Sequence, residues 1–113
     1  MIVLLVLNGY GCGKNYWLSK YYVYLAEQHN YKAHVLRTRQ QPLEERKKYY
    51  QKACECFLKA YRIDTAPFNF IRCEYAAQSC DWVGDLKSAR KFRILQESYK
   101  EPEEYEPAIV PTG

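Results

Sequence analysis

The stretch Asn8-Gly9-Tyr10-Gly11-Cys12-Gly13-Lys14-Asn15 has the residue types of a phosphate-binding loop. Glycines let successive backbone N–H groups turn inward around an oxyanion. A following helix N-terminus adds positive potential, and a lysine reaches the outer phosphates. On that chemistry Gly9, Gly11, Gly13, Lys14 and Asn15 are candidate nucleotide contacts, and ATP with magnesium is what they would hold. The pattern G-x-x-x-x-G-K-[ST] has glycine where Asn8 stands, and the metal-binding Ser/Thr where Asn15 stands. Asparagine tolerates a left-handed backbone, but its neutral amide oxygen is a poorer magnesium ligand.

A second candidate set is basic and aromatic. Arg37, Arg39, Arg46, Lys47 and Lys48, with Tyr49 and Tyr50 interleaved, could meet the phosphates and bases of a nucleic acid. The same residues also suit a solvated helix face. The cysteines are Cys12, Cys54, Cys56, Cys73 and Cys80. Residues two apart on a helix point about 200° apart, so Cys54 and Cys56 do not share a zinc ion. An odd count without a regular framework predicts buried thiols in a reducing, intracellular setting. His29 and His34 have no nucleophile or carboxylate constellation around them.

The elements that must position these residues follow from periodicity. Ile2–Leu7 is a continuous apolar run ended by Asn-Gly and predicts a buried strand. A helix follows, with Leu18, Tyr21, Tyr22 and Leu25 on one stripe and Trp17, Tyr21 and Tyr24 beside it. Tyr31–Leu36 predicts a second short strand, and Gln40-Gln41-Pro42 a break. From residue 43 the period is helical: Tyr50, Ala53, Cys54, Phe57, Ala60 and Tyr61, then Phe68, Ile71, Tyr75, Ser79 and Trp82, then Leu86, Ala89, Phe92, Leu95 and Tyr99. Asp64-Thr65-Ala66-Pro67 and Gly84-Asp85 supply the turns, and Pro102 the stop. The predicted fold is mainly α (α+β). A strand-loop-helix(-strand) unit over 1–42 precedes three antiparallel helices over 43–100 and an acidic, proline-containing tail over 101–113, the whole forming one compact domain.

Two partial family resemblances sit on these residues. Ile2–Leu7, Gly9–Lys14, Trp17–Gln28, Asn30-Tyr31-Lys32 and Val35–Arg39 resemble the opening of the thymidylate-kinase group of P-loop kinases. That resemblance implies a nucleoside monophosphate kinase type of phosphotransferase, with the Gly11 and Gly13 backbone cradling phosphate and Lys14 bridging the outer phosphates. Ala53-x3-Phe57-x2-Ala60 followed by Pro67, and Trp82-Val83-Gly84-Asp85-Leu86-Lys87-Ser88-Ala89, resemble tetratricopeptide repeats. Ala53 and Ala89 are 36 residues apart (89 − 53), near that family's period of about 34. This resemblance implies a groove for a protein partner around Tyr50, Phe57, Tyr75 and Trp82.

Length chooses between the implied functions. A complete nucleotide kinase typically needs well above ~150 residues for its sheet and helices, and this chain has 113. The expectation is therefore a small, non-catalytic protein–protein interaction module or subunit of a larger assembly. A nucleotide-binding protein and an RNA-contacting subunit are the alternatives. Twelve tyrosines, against four phenylalanines and two tryptophans, suit contact surfaces. Residues 1–66 carry 11 basic and 5 acidic side chains, while 67–113 carry 6 and 8, so the front half would attract a polyanion. Met1–Leu7 is too short for a signal peptide or a membrane span, which predicts an intracellular, cytoplasmic chain without a membrane partner.

Overall fold

Four helices follow one another: α1 (Ile2–Thr38), α2 (Leu43–Ile63), α3 (Phe70–Trp82) and α4 (Leu86–Gln96). They come from a computed structural model that describes residues 2–103, with side chains described from Gly13 onward. The chain is mainly α, with no strand among the described residues.

Both expected strands are corrected: Ile2–Leu7 and Tyr31–Leu36 lie within α1. A short apolar run does not by its periodicity tell a strand from a helix. A strand here would have no sheet to join, and its N–H and C=O groups would go unpaired. A helix satisfies them internally.

α1 and α2 form an antiparallel hairpin. The Ser19 hydroxyl donates to the carbonyls of Ala60 (2.9 Å) and Asp64 (2.6 Å), tying α1 to the far end of α2. The α1–α2 turn holds Gln40 at φ 59°, a left-handed conformation that costs a side chain about 1 kcal/mol. α3 and α4 form a second hairpin. Asn69 caps α3 by accepting from the Arg72 N–H (2.8 Å), and Asp85 caps α4 by accepting from the Ser88 N–H (3.1 Å). Gly84, at φ 79°, makes the turn between them, where a Cβ would be strained. At the open end, Gln96 donates to the Phe70 carbonyl (3.1 Å) and to Glu74 (2.8 Å).

Alanines set the spacing of the core. Ala26, Ala53, Ala60, Ala76, Ala77 and Ala89 are all fully buried, so neighbouring helices approach closely. Phe57, Phe68 and Phe92 fill the space between the hairpins, with ring centroids 5.6–6.3 Å apart. Among the described side chains of α1 the buried positions are Ser19, Val23, Ala26 and Ala33. That face lies about a third of a turn round from the expected Leu18–Tyr21–Tyr22–Leu25 stripe. The smaller side chains win because only they let α1 lie close against α2.

One expectation about the cysteines is also corrected. Cys54 of α2 and Cys80 of α3 form a disulfide that joins the two hairpins. Spacing along the chain does not show this, because the pair lies on different helices. Cys73 remains a fully buried thiol, pushed up to about 12 by burial and then by the Glu74 charge. It is therefore unreactive at neutral pH. No helix among the described residues is long and apolar enough to cross a membrane.

Candidate functional site

The glycine-rich stretch lies in helical backbone from Gly9 through Asn15. In an α-helix each N–H is spent on the carbonyl four residues back, so in this conformation none converges on a phosphate. Lys14 and Asn15 are exposed. A Cβ built on Gly13 would meet nothing within 4 Å. Gly13→Ala is therefore expected to raise stability by about 0.5–1 kcal/mol in chemical denaturation, since alanine is the better helix former. A loss of stability would instead favour a looped backbone at Gly13.

The structure brings together members of the two other predicted sets. Tyr50 and Trp82 stack with ring centroids 5.2 Å apart and planes 10° apart. The Arg46 and Arg37 guanidiniums lie 5.5 Å and 6.0 Å from the Trp82 ring centroid. This corner is built from the end of α1, the start of α2 and the end of α3. The α1–α2 turn places Arg37 beside Arg46, and the disulfide one turn along α2 from Tyr50 holds α3 against them. Burial raises the Tyr50 pKa, while Arg46 and then Arg37 pull it the other way, so both cations act on its hydroxyl.

The other predicted residues lie elsewhere. Phe57 is a core residue, and Tyr75 packs against the edge of the core. Arg39 and Lys47 are exposed. Lys48 pairs with Glu45 at 3.4 Å, both largely in solvent, a contact worth well under 1 kcal/mol. Glu44, Glu45 and Glu55 interrupt the positive charge along the exposed side of α2. The His29 pKa is lowered by burial, then by Lys52 and Lys32.

A second surface was not singled out from the sequence as a contact site. Trp17, Leu18, Tyr21, Tyr24 and Tyr31 of α1 are 44–67% exposed. Trp17, Tyr21, Tyr24 and Tyr31 recur at helical spacing over roughly 21 Å, on the side of α1 facing away from the bundle. Lys20 sits over the Tyr16 and Trp17 rings at 5.8 and 5.1 Å. The signal that could have found this face is the opposing row of small residues, Ser19, Ala26 and Ala33, which marks where the other helices pack.

Compared with known protein families, curated proteins and solved structures, the chain matches none.

Proposed function

We propose that this chain is a non-catalytic interaction module that docks a protein partner along α1. The observation that carries this reading is the row of Trp17, Tyr21, Tyr24 and Tyr31. Among the described residues, most of the large exposed apolar side chains belong to α1, although the same helix has a buried face available for packing. Large amphipathic rings gathered on one helix face are costly to leave in water and favourable to cover. Two helical hairpins stacked through alanines also suit a tetratricopeptide-like scaffold, whose exposed helix faces bind other chains.

The test is a triple substitution, Trp17→Ser with Tyr21→Ser and Tyr24→Ser. These positions are exposed, so the variant is expected to keep its helical circular dichroism and to melt within a few degrees of the wild type. A partner captured by the wild-type chain, and reconstituted with it from purified components, is expected to bind the variant at least about tenfold more weakly. If the captured partner binds the folded variant as well as the wild type, α1 is not the docking face.

A further inference from the structure

We infer that the corner formed by Arg37, Arg46, Gln78 and Trp82 is a binding site for a phosphate monoester. It stands apart from the aromatic face of α1 and does not depend on it: Arg37 lies on the opposite side of that helix.

Charge is the first observation. Two guanidiniums each lie within 6.0 Å of the centroid of a single indole ring. Among the described residues neither has an ion-pair partner; the pairs formed are Lys48–Glu45, Arg72–Glu27 and Arg93–Asp81. Arg46 spends only its Nε–H, on the Gln41 carbonyl at 3.1 Å. The forked ends of both side chains are left to bind something else. Their free N–H groups are donors that a dianion's oxygens can accept from.

Unpaired polar atoms are the second, independent observation. Trp82 Nε1, Gln78 Nε2 and His34 Nδ1 are buried side-chain atoms without a hydrogen-bond partner. Gln78 as a whole is only 5% exposed. The Trp82 and Gln78 groups are donors, and a buried donor left unpaired costs about 1–3 kcal/mol, which an oxyanion accepting from it would offset. The three belong to one corner. Gln78 and Trp82 are one turn apart on α3. On α1, Asn30 accepts from Ser79 (3.0 Å) and Arg37 lies over Trp82, which places His34, between them on that face, opposite the Gln78–Trp82 turn.

Together these groups select the ligand. Donors come from three helices, and the net charge of the two arginines is +2. A tetrahedral phosphate monoester, near −2 at neutral pH, presents oxygens in three directions; a carboxylate is planar and carries one charge. A nucleic-acid strand would need a continuous positive track, which the glutamates along α2 interrupt. The two arginines are half-exposed long side chains over Trp82, so they form both the outer wall and the entrance.

The test uses the full chain with Trp17→Phe, so that Trp82 alone reports. Titration with inorganic phosphate is expected to change its fluorescence saturably, with a roughly millimolar midpoint. Acetate at equal ionic strength is expected to bind at least about tenfold more weakly. Arg46→Gln and Arg37→Gln, each checked for an unchanged melting temperature, are expected to weaken phosphate binding by about tenfold or more. Arg46→Lys keeps the charge without the fork and should fall between. A phosphoserine peptide that binds more tightly than phosphate would place the ester on a protein; equal affinity would place it on a small molecule. Both results uphold the site. It is overturned if phosphate produces no saturable change, if acetate binds as well, if both folded glutamine variants bind normally, or if single-stranded RNA binds more tightly with a steep salt dependence.

Discussion

Phe57→Ala is expected to remove about 3–5 kcal/mol of stability. Phe57 is fully buried on α2 and touches both hairpins, with Phe68 and Phe92 each 6.3 Å away between ring centroids. Truncation deletes six ring carbons and leaves a cavity bordered by the Phe68 and Phe92 rings, which are themselves buried and packed against each other, so the site collapses only in part. A domain of this size is stable by about 5–15 kcal/mol, so the variant would melt roughly 12–20 °C lower or fail to fold at 37 °C. Urea denaturation checks the value, with Phe57→Leu as the control that preserves most of the volume and costs about 1–1.5 kcal/mol. A loss below about 1 kcal/mol for alanine would contradict the central place of this ring.

Reduction of Cys54–Cys80 is the second large expected effect. The bond closes a separation of 26 residues between α2 and α3. Restricting a loop of that length in the unfolded chain stabilises the fold by about 3.5 kcal/mol. A melting temperature roughly 10–15 °C lower is expected with a phosphine reductant than without it. Cys54→Ala with Cys80→Ala should reproduce the drop, and adding reductant to that variant should change nothing further. Cys56→Ala, which leaves the bond intact, separates this from a general effect of thiols. The loss should reach the Arg37–Arg46 corner as well, since Cys80 lies two residues before Trp82. If reductant leaves the wild-type melting temperature within about 2 °C, the two hairpins are held by packing alone.

The second half of the chain was well marked in its sequence. Apolar residues at three- and four-residue spacing marked α2, α3 and α4, and Gly84-Asp85 marked the turn whose glycine is at φ 79° and whose aspartate caps α4. These signals are local: a period, a cap and a left-handed glycine act within one or two turns of helix. The first half was ambiguous. Ile2–Leu7 and Tyr31–Leu36 have compositions that a strand and a helix both accept, and whether another strand exists to pair with is not a local property; among the described residues there is none. The aromatic residues of α1 suggested a core face, yet of that stripe and its flank Tyr22 packs against the core while Trp17, Tyr21 and Tyr24 are exposed.

By itself, then, the sequence determined a small, mainly helical chain with its turns, the Asp85 cap of α4 and its supply of close-packing alanines, because each of these depends on residues near one another in the chain; the cap of α3 is Asn69, beyond the Asp64–Pro67 turn where the sequence suggested a helix start. Only the tertiary structure decided which side of α1 is buried, that Cys54 meets Cys80, and that Arg37, Arg46, Tyr50 and Trp82 gather in one corner. Those outcomes depend on how closely one helix can approach another. That distance is set by the volumes of side chains that are dozens of residues apart in sequence and share one interior.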